Sequence, residues 1–251
     1  MTPDTHPQLV IDDTGTGEPP ILVLHGGGGP DTTKPVTAHL AAAGYRVLTP
    51  THPGWNGTPR RESMSTAGAY AQAYLDHLAA LGLTDVVVIG SSLGGWIAAE
   101  MAAQDTAGVL GGVVILDGAG ILLDDEPITD FFSLTPREVA EHSWHDPDRF
   151  YVDPSTFPPE RVAMQRSNMQ TMGAVFGDMN DPELRDRLAA VTIPALVIWG
   201  DSDRIFTPAY GRAYAESFAS GRFELVSNAG HLPHLEQPAA TLGLIDAFLE
   251  A

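Results

Sequence analysis

Short runs of consecutive apolar residues recur along the chain. They lie at 21–25, 45–49, 86–90, 113–117 and 195–200. Because these runs do not alternate apolar with polar residues, they are typical of strands that are covered on both faces, as in a parallel sheet. Two further strands are predicted at 9–12 and 223–226.

Helix-like segments separate the apolar runs. They are predicted at 34–43, 67–81, 93–104, 208–218 and 238–249. Gly82 closes the second of these segments, and the pair Thr207 and Pro208 opens the fourth, as is typical of helix ends and starts. The alternation of strand and helix predicts an α/β protein with a mostly parallel, doubly wound sheet.

The alternation breaks between residues 121 and 191. This stretch has no β-like run, while helix starts recur at Thr135, where Glu138 completes a capping box, and at Asp181. Apolar residues at offsets of seven, three and four form one stripe of a helix: Val162, Met169, Met172 and Phe176. We interpret 121–191 as a helical cap inserted between core strands, the core being 1–120 and 192–251.

Length and composition fit one α/β core with one insertion. The chain has 251 residues, of which 43% are apolar. This is enough for a full hydrophobic core that needs no disulfide or metal site to stabilise it. No stretch has the roughly 18 consecutive apolar residues of a membrane-spanning helix. Residues 1–15 lack the basic and apolar segments of a secretory leader. We therefore expect a soluble, cytoplasmic protein with no membrane partner.

Charge and cysteine content argue against several kinds of site. The chain has 13 Lys and Arg residues against 32 Asp and Glu residues, a net charge of −19, which argues against nucleic acid or anionic lipid as a partner. The absence of cysteine excludes disulfides, a thiolate nucleophile and a zinc–thiolate site. No metal and no cofactor is predicted, and the expected partner is a small-molecule substrate.

The segment 90–94, Gly-Ser-Ser-Leu-Gly, links a predicted strand to a predicted helix. A sharp turn at its central residue, Ser92, requires missing side chains two positions before and after it, which Gly90 and Gly94 supply. In an open parallel sheet such a turn lies at the carboxyl edge of the strands, where ligands bind. We predict that Ser92 is a nucleophile. Capping of the following helix is its alternative, purely structural role.

A serine hydroxyl needs a base to become a good nucleophile, and the base needs an acid that orients it. Both groups are expected at the ends of later strands. Asp201 and Asp203 follow the predicted strand 195–200. His231 and His234 follow the predicted strand 223–226. The order along the chain is then serine, aspartate, histidine.

Together these residues resemble the α/β-hydrolase family. The motifs that carry the resemblance are the loop His25-Gly-Gly-Gly-Gly29, the segment 90–94, Trp199-Gly-x-x-Asp203, Gly230-His231 and Glu236-x-Pro238. The similarity covers about residues 19–250, and it implies that the inserted helices are the family's cap, or lid. The chain departs from the family at 51–57, where His52 and Asn56 stand at positions that often carry Asp and Gly. This departure concerns the shape of that loop and does not touch the three predicted catalytic residues.

The resemblance implies a role for each residue. The spacing of the Trp-Gly-x-x-Asp motif selects Asp203 as the acid, and the Gly-His motif selects His231 as the base. The backbone amides of Gly27 and Leu93 would bind the oxyanion of a tetrahedral intermediate. Gly28 is the alternative to Gly27 within the same loop.

Asp117 and His234 compete for the roles of acid and base. Asp117, at the end of another predicted strand, is the second candidate for the acid. His234 is the second candidate for the base, although a surface or structural role is expected for it. His25 is either a support of the oxyanion loop or a buried, hydrogen-bonded histidine, and we favour the structural role.

Large apolar side chains provide candidate walls of a substrate pocket. They are Trp55, Phe131, Phe132, Trp144, Met164, Met169, Met172 and Phe176. Ordinary packing is the alternative role for each of them, but as a set they favour a mostly apolar substrate.

The predicted function is that of a cofactor-free serine hydrolase that cleaves a carboxylic ester or a lactone of a small, mostly apolar substrate through an acyl-enzyme. Hydrolysis of a carbon–carbon bond by the same three residues is an alternative. A small-molecule receptor built on the same fold is another, since fold alone does not define activity.

Overall fold

A single mixed sheet organises the protein, for which the computed structural model describes residues 9–251. The strands are β1 (Val10–Thr14), β2 (Gly17–Leu24), β3 (Tyr45–Thr51), β4 (Val86–Ser91), β5 (Leu110–Leu116), β6 (Ala195–Gly200) and β7 (Gly221–Val226). Their order in the sheet is β1-β3-β2-β4-β5-β6-β7. Strand β1 pairs antiparallel with β3, and the other neighbouring pairs are parallel. The predicted mostly parallel sheet is confirmed.

Helices follow the strands as the sequence pattern predicts. They are α1 (Lys34–Ala42), α2 (Ala67–Ala80), α3 (Leu93–Gln104), α4 (Pro136–Ser143), α5 (Pro147–Phe150), α6 (Pro159–Phe176), α7 (Leu184–Leu188), α8 (Pro208–Ser217), α9 (Pro233–Glu236) and α10 (Pro238–Leu249). The five predicted core helices correspond to α1, α2, α3, α8 and α10, with ends that agree within one residue. The short α9 was not predicted. No helix in the part of the chain that the structure describes is long and apolar enough to cross a membrane.

The sheet is covered on both faces, because successive residues of each central strand belong to different cores. In β2, Ile21 and Val23 pack with residues of α1 and α10, whereas Leu22 and Leu24 pack with residues of α2, α3 and α8. Side chains alternate between the two faces of a strand, so continuous apolar runs are what a doubly covered sheet requires. The doubly wound arrangement is therefore confirmed.

The chain between β5 and β6 contributes four helices, α4 to α7, and no strand of the sheet. The capping box predicted at Thr135 is present, since its hydroxyl accepts from the amide of Glu138 and its own amide donates to the Glu138 carboxylate at 2.8 Å. Helix α7 begins at Leu184, three residues after the start predicted at Asp181. The predicted cap boundaries, 121–191, enclose all four helices.

The buried face of α6 differs from the predicted apolar stripe. Its buried residues are Asn168, Met172, Val175 and Phe176. The side chain of Asn168 accepts from the amide of Asn56 at 2.9 Å and donates to the Asn56 side-chain oxygen at 3.0 Å. These two hydrogen bonds turn a polar residue inward and leave Met169 36% exposed.

A buried ion pair joins α7 to α3. Glu100 is only 2% exposed, and its two carboxylate oxygens accept hydrogen bonds from Arg187 at 2.8 and 2.9 Å. Helix α3 is buried along almost its whole length, so the charge on Glu100 is stabilised chiefly by this bidentate contact. Arg187 itself is about one third exposed.

Replacing Arg187 by Met should destabilise the fold strongly. The substitution leaves the Glu100 carboxylate buried without a cation, and breaking a buried ion pair in this way costs about 3 to 5 kcal/mol. Arg137→Met, which removes the more exposed contacts with Glu141 and Asp148, is the control, with an expected cost of about 1 kcal/mol or less. Equal free energies of unfolding for the two variants in urea would contradict the structural role assigned to Arg187.

Candidate active site

Ser92 lies at the tip of a sharp turn between β4 and α3. Its backbone has φ 54° and ψ −115°, a conformation that side chains disfavour and that marks a strained position. The chains cross closely here: a Cβ on Gly90 would lie 2.1 Å from the carbonyl oxygen of Gly94, and a Cβ on Gly94 would lie 2.2 Å from that of Leu24. The two glycines of the segment 90–94 are therefore required by space, as its spacing predicts.

A chain of hydrogen bonds joins the three predicted residues at the carboxyl edge of the sheet. The Nε2 atom of His231 lies 2.9 Å from Oγ of Ser92, and its Nδ1 atom lies 2.8 Å from Oδ2 of Asp203. Ser92 follows β4, Asp203 follows β6 and His231 follows β7. The structure thus brings together side chains that are up to 139 positions apart in the sequence.

The Asp203 carboxylate is held in place on its other side by backbone amides. Its Oδ1 atom accepts from the amides of Ile205 at 2.8 Å and of Phe206 at 3.2 Å. Charge-assisted bonds of this kind stabilise a buried anion. With both oxygens engaged and a residue exposure of 3%, Asp203 can hold the imidazole of His231 in one orientation and one tautomer.

Asp117, the rival acid, lies next to Asp203. Asp117 is fully buried, its Oδ1 atom accepts from the amide of Gly200 at 2.9 Å, and the ligand atoms of Asp117, Asp203 and His231 lie within 4.8 Å of one another. Burial raises the pKa of Asp117 well above the ordinary aspartate value, and the negative charge of Asp203 raises it further. Asp117 therefore lies in surroundings that disfavour its charged form, while Asp203 forms the hydrogen bond to His231.

Asp117, Asp203 and His231 are also the group within residues 9–251 whose possible ligand atoms are close enough together to hold a metal ion. The donors are already used by one another and by neighbouring groups, since His231 contacts both Asp203 and Ser92 and Asp203 accepts two amides. The arrangement is suited to moving a proton from the serine hydroxyl to the imidazole.

His234 and His25 are both buried in structural hydrogen bonds. The ring of His234 donates from Nε2 to the carbonyl of Thr32 at 3.0 Å, and burial lowers its pKa to about 4. The ring of His25 donates from Nδ1 to the carbonyl of Gly26 at 2.7 Å and accepts at Nε2 from the amide of His52. Burial also lowers the pKa of His25 to about 4, so this ring is neutral near pH 7. His231 is thus the histidine that contacts Ser92.

The loop of glycines after His25 borders the candidate nucleophile. Gly26, Gly27 and Gly28 line one cavity together with Ser92. The carbonyl of Gly26 accepts from the His25 ring and from the amide of Gly29, and the carbonyl of Gly27 accepts from the indole of Trp55 at 3.0 Å. In a trans peptide the amide points opposite to the preceding carbonyl. The amides of Gly27 and Gly28 are therefore directed away from these buried partners.

A cavity of about 490 Å³ opens above Ser92 and His231. Five of the predicted wall residues line it: Phe131, Phe132, Trp144, Met169 and Met172. Its walls come from the glycine loop on one side and from the segments around α4, α5 and α6 on the other. None of the described residues that line the cavity is Lys, Arg, Asp or Glu.

Trp55 and Phe176, two other predicted wall residues, do not line this cavity. Trp55 is fully buried under the glycine loop, where its indole bonds to Gly27 and its ring contacts those of His25, His52 and Phe176. Phe176 is 1% exposed. The substrate-binding role predicted for these two residues is therefore corrected to packing, because the loop that Trp55 supports lies between it and the cavity. Met164 does not line the cavity either.

Several lining residues carried no usable signal in the sequence. They are Leu134, Val139, Phe150, Tyr151, Phe157, Gln165, Asn168 and Ile205, among others. Most belong to short helices and irregular segments between 131 and 158, which are too short for a pattern of apolar positions to show which residues face the cavity. Gly26 also adjoins the candidate nucleophile, since a Cβ there would lie 3.0 Å from Cβ of Ser92.

Comparison with known proteins assigns the chain to a family. Residues 21–244 match the family model described as the alpha/beta hydrolase family. The chain therefore belongs to the α/β hydrolase family, in agreement with its sheet, its strand–turn–helix segment at Ser92 and its helical insertion.

Individual relatives carry the names of different hydrolases. A 2-hydroxy-6-oxononadienedioate/2-hydroxy-6-oxononatrienedioate hydrolase from Pseudomonas sp is 27% identical over 243 residues, covering 88% of this chain and 84% of that protein. The enol-lactonase from Burkholderia xenovorans superposes with a TM-score of 0.78 at 20% identity, covering 97% of this chain and 96% of the other. An esterase from Exiguobacterium antarcticum superposes with a TM-score of 0.75 at 17% identity, covering 97% and 96%. The two structures establish the shared fold.

Replacing Asp117 by Asn should stabilise the fold at pH 7. Because the pKa of Asp117 is raised in the folded protein, the unfolded chain releases this proton at lower pH, so stability falls as the pH rises above about 4. Asparagine keeps the shape and the acceptor for the Gly200 amide but does not titrate. We expect the free energy of unfolding to increase by at least about 1 kcal/mol at pH 7 and by little at pH 4.

Urea unfolding at both pH values measures this effect. Asp201→Asn is the control, because Asp201 is an exposed carboxylate two positions from Asp203, and its removal should change stability by less than about 0.5 kcal/mol at either pH. A destabilised Asp117→Asn variant at pH 7 would show that Asp117 is ionised in the folded protein.

Proposed function

We propose that this protein is a serine hydrolase that cleaves carboxylic esters or lactones of small, neutral, mostly apolar substrates. The observation that carries the proposal is the hydrogen-bonded chain from Ser92 Oγ through His231 to Asp203, at the base of an apolar cavity. Nucleophile, base and orienting acid are the three groups that acyl transfer through a serine requires.

In the proposed mechanism, Ser92 Oγ attacks the substrate carbonyl carbon while His231 Nε2 takes the hydroxyl proton. His231 then returns this proton to the leaving group, and Asp203 stabilises the imidazolium that forms in between. The product of the first half is an acyl-serine. Water, deprotonated by His231, hydrolyses this intermediate and regenerates Ser92.

Two backbone amides are proposed to bind the oxyanion, those of Gly27 and Leu93. Leu93 directly follows Ser92 at the first position of α3, where helix amides are free and the helix dipole favours negative charge. The Gly27 amide is directed opposite to the Gly26 carbonyl, which two buried donors hold. Donors fixed before the reaction in this way lower the barrier by about 2.7 to 4 kcal/mol each.

The cavity supports a neutral substrate. Its lining is predominantly aromatic and aliphatic, and no Lys or Arg of the described chain takes part in it. A carboxylate placed there would lose its hydration without gaining a cation, which is strongly unfavourable. Gln165 and Asn168 provide neutral amide groups, whose N–H donors suit an ester or lactone oxygen.

Carbon–carbon bond hydrolysis is the second candidate. It is supported by the 27% identity to the Pseudomonas hydrolase, whose name describes a substrate with two carboxylates. The uncharged lining of the cavity favours the ester or lactone reaction instead, because a dianion would be buried there without a counter-charge.

Ser92→Ala should abolish turnover. Removal of the nucleophile is expected to lower kcat for 4-nitrophenyl butyrate by about 10⁴-fold or more, since nucleophile and base act as a unit. Ser91→Ala is the matched control: Ser91 is buried on the same turn, has no role in the mechanism and should leave kcat within about threefold. Wild-type activity of the Ser92→Ala variant would remove Ser92 from the chemistry.

A pair of esters of equal length tests the neutral-substrate proposal. 4-Nitrophenyl butyrate and the mono-4-nitrophenyl ester of succinate differ in a terminal methyl against a carboxylate. We expect kcat/KM to be at least about 100-fold higher for the butyrate, since burial of an unpaired carboxylate is costly. Met169→Arg adds a cation at a partly exposed position of the cavity wall. It should therefore reduce the ratio of kcat/KM for the butyrate ester to kcat/KM for the succinate ester. A preference for the succinate ester would instead favour the carbon–carbon hydrolase function.

A further inference from the structure

Glu236, in the short helix α9, is a buried carboxylate that the proposed chemistry does not use. It is 7% exposed, and within residues 9–251 no ion pair engages it. Its Oε2 atom accepts from the amide of Gly230 at 2.6 Å. The amide of His145 donates to both of its oxygens at 3.1 Å, and the amide of Asp146 donates to Oε1 at 3.2 Å.

These amides belong to two different parts of the protein. Gly230 directly precedes His231 in the loop after β7, whereas His145 and Asp146 form the connection between α4 and α5 in the inserted segment. Glu236 therefore lies between the loop that carries the candidate base and the helices that cover the cavity. Each of its two oxygens faces at least one backbone donor from the inserted segment, and Oε2 faces a donor from the base loop as well.

The same two segments also touch directly, backbone against backbone. The amide of His231 donates to the carbonyl of Ser143, the last residue of α4, at 2.7 Å. A Cβ on Gly230 would lie 2.2 Å from that same carbonyl oxygen, so no larger residue fits at this position. The main chain of the candidate base is thus fixed by the end of α4.

A carboxylate suits this position because it accepts on both sides. Ionised carboxylates accept several N–H bonds at once, and charge-assisted bonds are stronger than neutral ones. A glutamine of the same size would present an NH₂ group to either the Gly230 amide or the cap amides, and two donors cannot bond to each other. One of the two segments would then lose its contact.

We propose that Glu236 is a positioning residue that holds the His231 loop and the connection between α4 and α5 as one unit. In this arrangement the α4 part of the cap stays docked throughout turnover, and the placement of the His231 imidazole depends on that docking. This inference rests on the proposed function, in which His231 acts as the base.

A second set of contacts provides a matched control. Thr171, on α6, donates from its hydroxyl to the carbonyl of Gly54 at 3.1 Å, which joins another part of the inserted segment to the 51–57 loop. Thr171→Val removes one contact between cap and core without touching the base loop. Any purely structural effect of loosening the cap should appear in both Glu236→Gln and Thr171→Val.

The test compares steady-state kinetics of the two variants with those of the wild type on 4-nitrophenyl butyrate. Glu236→Gln is expected to lower kcat by about tenfold or more with KM within about twofold, because the base is misplaced while the cavity remains. Thr171→Val should keep kcat within about twofold even if its melting temperature falls. Equal kcat for Glu236→Gln and the wild type would overturn the proposal.

Amide hydrogen exchange of the wild-type protein tests the same unit without substitution and without activity. If Glu236 holds the two segments together, one local unfolding event should expose the backbone amides of both segments. Their protection factors should then lie within about tenfold of one another; the amides are those of Gly230, His231, His145 and Asp146. Exchange of His145 and Asp146 at least 100-fold faster than that of Gly230 and His231 would show that the cap opens alone. If the wild type did not hydrolyse 4-nitrophenyl butyrate but the four amides had similar protection factors, the proposed function would be rejected, while the proposed role of Glu236 in joining the two segments would stand.

Discussion

The close crossing of β4 and α3 with the end of β2 is the constraint on which the candidate site depends. Gly90 and Gly94 allow backbones to meet at distances that a Cβ would prevent, and the turn between them places Ser92 in a strained conformation at the carboxyl edge of the sheet. Such strain persists because the surroundings leave no other conformation open: α3 is buried along nearly its whole length, between the sheet and α2. The same crossing places the first amide of α3 beside the serine.

Four buried carboxyl groups in the described part of the chain surround or support this edge, and each is accommodated by a different physical means. Glu100 is paired with Arg187, Asp203 with His231 and two amides, Glu236 with amides alone, and Asp117 with a single amide. Three donors surround the Asp203 carboxylate and one reaches Asp117, and burial together with the adjacent negative charge of Asp203 raises the pKa of Asp117. The proposed acid is thereby distinguished from its rival by the number of donors that surround it.

The inserted helices supply most of the wall of the cavity above Ser92. The walls they supply are apolar and uncharged, although the protein as a whole has a net charge of −19. The end of α4 contacts the His231 loop directly, and α6 contacts the 51–57 loop through Asn168 and Asn56. The part of the chain that supplies most of the cavity wall therefore also borders the groups proposed to react.

Much of this arrangement follows from local patterns in the sequence. Continuous apolar runs determined a doubly covered sheet, because only strands with two buried faces lack polar alternation. The spacing of Gly90, Ser92 and Gly94 determined a turn, because its cause is steric and local. The positions of Ser92, Asp203 and His231 at the ends of three parallel strands determined that they would share one edge of the sheet, since parallel strands end together.

Tertiary structure decided what depends on partners distant in sequence. The motif around Asp203 favours it as the acid, but its contact with His231, 28 positions away at the end of another strand, is made only in the folded sheet. Asn168 faces inward on α6 against its apolar stripe because Asn56, 112 positions away, supplies both a donor and an acceptor. Trp55 packs beneath the glycine loop, and Phe176 packs against Trp55, Tyr70 and Trp96, so neither lines the cavity. Hydrophobicity determines that a side chain is buried, and only the packing of several elements determines where.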